Sequence, residues 1–265
     1  MLDSYARRIN YLRISVTDRC NLRCKYCMPE EGVEFIPHER IISFEKIRDI
    51  AAVAASMGFD KLRLTGGEPL VRKGIIKLVA MLAGISGIKI LAMTTNGTLL
   101  APMAGELRKA GLSSVNISLD TMDPLLFSEL TRGGNINDTI AGIIAARKEG
   151  FPVKLNTVVS DSMPQGNLEE VERFAREHGC LVQTIREYRL DSQKTDDSHF
   201  MRPPPCADCN RIRLLATGEL KPCLHNSIAV PVDYSDIAGS IKKCIELKPA
   251  CGASLESHAV NSIGG

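Results

Sequence analysis

The sequence predicts an α/β protein built on a parallel sheet, and three observations predict it. Six short β-rich runs alternate with five stretches of helical spacing between residues 12 and 190, the alternation that gives right-handed βαβ crossovers. Apolar residues make up 44% of the 265, ordinary for a globular chain with a proper core. The chemically loaded stretches all follow strands: three cysteines after the first, "TGGEP" after the second and "TNG" after the third. Chemistry therefore gathers at one rim, beyond the strand C-termini where α/β sheets take their ligands. An open doubly wound sheet and a partial or full βα-barrel both satisfy the pattern.

Taken in order, the strands are "LRISVT" (12–17), "KLRLT" (61–65), "KILAMTT" (89–95), "SVNISL" (114–119), "VKLNTVV" (153–159) and "LVQTIREYRL" (181–190). Each reads as a β-rich run. The helices between them are "SFEKIRDIAAVAASMG" (43–58), "GIIKLVAMLAGI" (74–85), "LAPMAGELRKAG" (100–111), "INDTIAGIIAARKEG" (136–150) and "NLEEVERFAREHG" (167–179). Their apolar residues recur at three and four positions, and several end in glycine, a common helix stop. Ser43 has Lys46 rather than Glu three residues on, so no capping box forms there. Asn167, followed by Glu169 and Glu170, is the expected N-cap of the last of these helices. After residue 191 the pattern breaks into "DSQKTDDSHF", "MRPPPC" and cysteines at 206, 209, 223, 244 and 251. That region is expected to be a small, loop-rich appendix stapled by metal, so the predicted division is 1–191 and 192–265.

A formal charge of +2 gives no bulk electrostatic reason to bind nucleic acid or a membrane surface. No run of 18 apolar residues is present, and "MLDSYARRIN" lacks the apolar core of a signal peptide. Nine cysteines, an odd number, fit metal ligation in a reducing cytosol better than a disulfide framework. The expected location is the cytoplasm.

"SVTDRCNLRCKYCMPE" (15–30) sets Cys20, Cys24 and Cys27 at a C-x3-C-x2-C spacing. Zinc in a closed structural site wants four protein ligands, so a trio suggests a metal centre with one position open. Three thiolates and an open iron suit a 4Fe–4S cluster that also holds a substrate; zinc completed by a distant ligand is the alternative. With Tyr26 just before the third cysteine, this stretch resembles the signature of the radical S-adenosylmethionine enzymes. "TGGEP" (65–69), by itself only a glycine-rich turn, resembles the segment with which that superfamily binds the methionine end of its cofactor.

The resemblance implies a partial (β/α)6 barrel and a cluster that cleaves S-adenosylmethionine to a 5′-deoxyadenosyl radical, with the protein supplying binding, orientation and exclusion of water. A second trio, Cys206-x2-Cys209-x13-Cys223 followed at Cys209 by "NRIR", resembles the auxiliary-cluster motif of the GTP 3′,8-cyclase family of molybdenum-cofactor biosynthesis. Read alone, it equally suits a zinc ribbon completed by His225, Cys244 or Cys251.

By that likeness the two trios hold two 4Fe–4S clusters, the second with an iron open for the guanine of GTP. Arg13, Lys61, Arg63, Lys154, Arg211 and Arg213 fall where the family places basic residues around GTP, although each alone reads as a solvated charge at a strand end. A triphosphate of about four negative charges needs such a set. Thr94 joins the substrate residues. Tyr26, Gly66, Gly67, Glu68, Pro69, Asn96 and Ser118 join the cofactor residues. The chain ends "SIGG", and the family's free Gly-Gly end makes Gly264 and Gly265 candidates for the active site beside Arg211 and Arg213; a frayed terminus is the bland alternative. In the implied reaction the adenosyl radical removes the ribose C3′ hydrogen, C3′ bonds to guanine C8, and the second cluster helps reduce the product radical. A flavodoxin or ferredoxin as electron donor and a downstream cyclic pyranopterin monophosphate synthase are implied partners; a homodimer is left open.

The likeness has gaps. Family members run several tens of residues longer, the missing length falling between 190 and 206. Strand six reads "TIREYR" (184–189) where the family pattern is close to "RFIEFM", so a GTP-contacting arginine becomes Thr184 and a methionine at the cofactor becomes Arg189. Two readings of Arg186 and Arg189 stand side by side: one of them supplies the lost charge from a neighbouring position, or they mark a different substrate in a shortened paralogue. Cys180, Cys244 and Cys251 have no assigned role; for Cys244 and Cys251, outside the family pattern, buried inert thiols are the bland reading. The alternatives are a shortened paralogue acting on another nucleotide or a peptide, and a non-enzymatic zinc-stapled binding module.

Overall fold

The computed structural model describes residues 1–160, 162–187 and 205–253. Six parallel strands, β1 (Tyr11–Ser15), β2 (Lys61–Thr65), β3 (Ile90–Thr95), β4 (Ser114–Ser118), β5 (Val153–Val159) and β6 (Leu181–Arg186), lie side by side in chain order. Helices α1 (Phe44–Ser56), α2 (Ile75–Ala83), α3 (Ala104–Lys109), α4 (Pro124–Thr131), α5 (Ile136–Lys148) and α6 (Asn167–Glu177) connect them. Beyond β1 the sheet continues through β7 (Arg211–Leu214), β8 (Glu219–Lys221) and β9 (Val230–Pro231), and α7 (Ile237–Glu246) follows. The order β6-β5-β4-β3-β2-β1-β7-β8-β9 has two edges, so the sheet is open rather than a full barrel. That is compatible with the partial barrel the resemblance implies.

Alternation along the strands separates two faces. Leu12, Ile14, Leu62, Leu64, Val115, Ile117, Ile212 and Leu214 are fully buried and share one apolar core with the helices. Their neighbours, Tyr11, Arg13, Lys61, Arg63, Asn116, Lys154, Asn156, Arg211 and Arg213, face a cavity on the opposite side. A parallel sheet is ordinarily apolar on both faces; here one face is given over to polar and cationic groups, which marks it as the functional face.

Several elements differ from the sequence expectation. β1 begins at Tyr11, one residue earlier than predicted, which puts the tyrosine in the cavity. α3 starts at Ala104 rather than near residue 100, because Pro102 lacks the N–H and disfavours helical geometry in the residue before it. α4 is missed by the periodicity because it spans only eight residues, yet Asp123 caps it through Leu125 N at 2.8 Å and Pro124 opens it. Ser43 caps α1 by accepting from Lys46 N. Asn167 is not a cap: Gly166 holds that position at φ 83°, and the Asn167 amide instead donates to Asp120 O at 2.7 Å. The region after 205 is also more than a loop-rich appendix. β7 pairs with β1 in parallel register, and Ile212, Leu220, Ile241, Cys244 and Ile245 enter the common core. Its strands are two to four residues long, too short to leave a period in the sequence.

Candidate functional site

The loop after β1 and the loop after β2 are stitched together before either can hold anything. Val16 N donates to Thr65 O, Gly67 N to Thr17 O and Glu68 N to Arg19 O, at 2.8–2.9 Å. So close an approach requires glycine. A Cβ on Gly66 would lie 2.2 Å from Thr17 O, and one on Gly67 2.4 Å from Arg19 O. Glu68 is fully buried, and its carboxylate accepts from Leu70 N, Thr95 Oγ1 and Asn96 N at 2.7–2.9 Å. Burial outweighs those bonds and pushes its pKa up to about 7. Its side chain ties the β2 loop to the end of β3.

Above this knot lies a cavity lined by Cys20, Cys24, Cys27, Tyr26, Gly66, Gly67, Thr95, Asn96, Ser118 and Asp120, among others. The predicted cofactor residues thus meet in one place, except Glu68 and Pro69, which stand behind it. Cys20 Sγ accepts from Leu22 N and Asn96 Nδ2. Tyr26 OH donates to the buried Asp120 carboxylate at 2.8 Å, whose other oxygen accepts from Val158 N. Asp120 was not singled out in the sequence; its position after β4 in "SLD" was the available signal. Burial, with Asp120 and Cys20 close by, pushes the Cys24 thiol up to about 12, and burial raises Cys20 and Cys27 as well. Three thiolates so crowded need a compensating cation. Three soft sulfur donors, with the nearby Asp120 carboxylate taken up by Tyr26 OH and Val158 N, suit iron–sulfur chemistry, so the residues fit the cluster that the spacing suggested. Among the described residues no three Cys, His, Asp or Glu side chains converge on a single ion position; a cluster of several irons spreads its thiolates wider than one zinc does.

The second cavity lies deeper along the same face. It brings together Arg13, Lys61, Arg63, Thr94, Lys154, Arg211 and Arg213, all the predicted substrate residues, with Cys206, Cys209 and Cys223. Arg213, Arg13 and Arg63 are direct register partners on three neighbouring strands, like-charged side chains rising from backbones about 4.8 Å apart, an arrangement that destabilises a sheet on its own. Burial, then Arg213, lowers the Arg13 pKa well below the usual guanidinium range. Among the described lining residues none is Asp or Glu.

Tyr11, which sequence reading passed over, sits inside this cationic nest. Its hydroxyl accepts from Arg63 Nε at 2.7 Å, and Lys61 Nζ lies 4.8 Å from its ring centre. Burial works to raise its pKa, but Arg63, Arg13, Arg211 and Lys61 together bring it down to about 8. Lys248, also passed over, is buried with Nζ donating to Cys209 Sγ, Arg211 O and Pro222 O. Burial opposes the Cys209 thiolate, yet Lys248 and Arg211 prevail and lower that thiol to about 7.

The two cavities share Thr94, Asn156 and Ile185, so a group at the first cluster site adjoins a ligand at the second. Thr184, where an arginine was expected, pairs with Thr157 and lies outside both lining sets. Gln183, one residue earlier, faces the cationic cavity instead and donates to Asn156 Oδ1 at 2.9 Å. Arg186 lines the cluster cavity rather than the cationic one, so it does not restore the missing charge there. Arg189, Gly264 and Gly265 lie outside the described residues. Cys180 and Cys244 are buried and their thiols are raised by burial. Cys251 is exposed, contrary to the bland expectation of a buried thiol.

Residues 14–177 match the Radical SAM superfamily model. The GTP 3′,8-cyclase of Peptoclostridium acidaminophilum is 38% identical over 92% of this chain and 87% of its own length. That of Geobacter sulfurreducens is 36% identical over 100% of this chain and 99% of its own. Among solved structures, Streptococcus suis SuiB bound to S-adenosylmethionine superposes with a TM-score of 0.67 at 17% identity, covering 89% of this chain and 68% of SuiB; at that identity the likeness concerns the fold.

Proposed function

From a chain that belongs to the GTP 3′,8-cyclase family of the radical SAM superfamily, we infer a radical enzyme that converts GTP to 3′,8-cyclo-7,8-dihydro-GTP. The observation that carries the substrate is the second cavity: among the described lining residues are seven cations, Arg13, Lys61, Arg63, Lys154, Arg211, Arg213 and Lys248, and no carboxylate. Such a site is stable when a polyanion neutralises it, and arginine meets phosphate oxygens with a bidentate fork. A neutral peptide would leave those charges uncompensated, so the peptide alternative lacks support.

Cys20, Cys24 and Cys27 hold one 4Fe–4S cluster and Cys206, Cys209 and Cys223 a second. When bound, the first supplies the electron that cleaves S-adenosylmethionine to the hydrogen-abstracting adenosyl radical, and the second an anchor and electron relay at the nucleotide base. The chain's own residues do the rest. Gly66 and Gly67 let backbone approach the cofactor, Tyr26, Asn96 and Ser118 border it, and Thr94 lies between cofactor and nucleotide. The cationic rows of β1, β2 and β7 bind the triphosphate. Residues 1–191 thus form the cofactor barrel, and 192–265 supply the second cluster. By the family likeness, a chain ending at Ile263 is expected to make 5′-deoxyadenosine but little cyclised product. A flavodoxin or ferredoxin donates the electron, and cyclic pyranopterin monophosphate synthase takes the product.

The test is anaerobic reconstitution followed by incubation with S-adenosylmethionine, dithionite and each nucleoside triphosphate in turn. GTP is expected to yield the cyclised nucleotide by mass spectrometry. Formation of 5′-deoxyadenosine with every triphosphate, and of cyclised product with none, would overturn the substrate while leaving the radical chemistry.

A further inference from the structure

The strap that follows α7 crosses all three cysteines of the second trio. Lys248 Nζ lies 3.3 Å from Cys209 Sγ. Cys251 Sγ lies 3.3 Å from Cys206 Sγ. Gly252 passes so near Cys223 that an added Cβ would sit 3.5 Å from its sulfur and 2.5 Å from His225 Cβ.

The strap is held there by buried groups. Arg7 is 8% exposed; its guanidinium donates to Cys206 O at 2.8 Å, Ala250 O at 3.0 Å and Pro249 O at 2.7 Å, while its Nε donates to Asp3 Oδ2 at 2.6 Å. One guanidinium therefore fixes the backbone of Cys206 and of the two residues before Cys251 in a common frame. Downstream, Ala253 N donates to His225 O at 3.0 Å. Cys251 is pinned on both sides while its thiol stays at the exposed rim of the trio.

We propose that Cys251 is a fourth thiolate ligand of the cluster held by Cys206, Cys209 and Cys223, closing at rest the coordination position that three cysteines leave open. The inference rests on the second cluster assigned above. It makes the two centres unlike, because the cavity around Cys20, Cys24 and Cys27 has no fourth cysteine among its lining residues. Substrate binding would then be a ligand exchange without redox change, in which a donor atom of the nucleotide base would take the place of the Cys251 thiolate, and the released thiolate would take up a proton from solvent.

Mild oxidation separates the two cases, since an iron without a cysteine ligand is the one a four-iron cluster sheds. Wild-type and Cys251→Ser holoenzymes, free of nucleotide and S-adenosylmethionine, are treated with ferricyanide and the three-iron clusters counted by EPR. The wild type is expected to give about one per chain and Cys251→Ser about two, with Cys244→Ser, which removes a buried thiol, matching the wild type. Equal counts in wild type and Cys251→Ser would overturn the proposal, as would loss of the whole second cluster with a Cys206–Cys251 disulfide seen by mass spectrometry. A wild type with about four irons before oxidation would overturn the second cluster itself, a separate result.

Discussion

Tyr11 is the residue whose surroundings say most about the substrate. A hydroxyl held near pKa 8 by four cations becomes a phenolate as pH rises past that value, and so places a negative charge among the groups that bind phosphate. Ionisation and polyanion binding oppose each other. GTP affinity is therefore expected to fall as pH climbs from about 7 to about 9, and bound GTP to raise the tyrosine pKa in return. Tyr11→Phe removes the titration and flattens that limb, which isothermal titration calorimetry across the pH range reads directly; an unchanged slope in the variant would refute the assignment. Lys154 is exposed and dispensable to folding, so Lys154→Met reports binding alone. Because the side chain is exposed and screened by solvent, its loss is expected to cost at most about 1 kcal/mol of GTP affinity, roughly fivefold. Gly67→Ala sets a Cβ 2.4 Å from Arg19 O and forces apart the two loops beneath the first cluster. Iron at that site is expected to drop with it, whereas Gly84→Ala, where the nearest atom would be 3.7 Å away, leaves iron content unchanged.

Elements matter here as supports for loops. α4 ends in Arg132, in the left-handed region at φ 54°, with its guanidinium donating to Arg23 O, Met28 O and Pro29 O. The same helix end accepts from Arg23 N and Lys25 N through Thr131 O and Leu130 O. A helix absent from the periodicity thus braces the cysteine loop from outside. Arg132→Gly keeps the backbone conformation and removes only the guanidinium. The variant is expected to fold normally by circular dichroism and to lose the iron of its first cluster to a chelator several-fold faster; loss at the wild-type rate would show that the helix holds the loop without it. β7 does the corresponding work for the other site. By pairing with β1 it lays Arg211 and Arg213 beside Tyr11 and Arg13, and the turn before it carries Cys206 and Cys209.

At the scale of the whole molecule, one sheet face carries two joined cavities, the cysteine-lined one at the strand ends and the cationic nest below, meeting at Thr94, Asn156 and Ile185. The arrangement keeps the reacting groups adjacent and lets each trio be removed alone. Replacing Cys206, Cys209 and Cys223 by Ala is expected to lower iron from about eight to about four per chain, keep slow cleavage of S-adenosylmethionine and abolish cyclisation. Replacing Cys20, Cys24 and Cys27 abolishes both reactions. Retention of 5′-deoxyadenosine formation in the latter variant would contradict the assignment of the first site. Because attraction in the nest is electrostatic and only partly buried, guanosine is expected to bind far more weakly than GTP, and the gap to narrow as salt rises.

Much of this was written in the chain order. The C-x3-C-x2-C spacing, the two glycines of "TGGEP", the basic residues at alternate strand positions and the second trio with "NRIR" each carry a local constraint: a ligand count, a missing Cβ, a side of a strand. Local constraints survive in sequence, and all six basic residues assigned there do face one cavity. What only the tertiary structure decided is which neighbours those residues acquire. Tyr11 has nothing in its sequence to mark it, since its low pKa is made by Arg63 and Lys61 from β2 and Arg211 from β7. Gln183 rather than Thr184 faces the nest because the register of β6 on β5 sets Gln183 opposite Asn156, and a one-residue step turns a side chain to the other face. Lys248 and Cys251 reach the second trio because α7 folds back onto β8 and β9, and Arg7, from the other end of the chain, fixes the strap there. Charge, burial and ligand reach depend on distances between residues far apart in the chain, and only packing sets those distances.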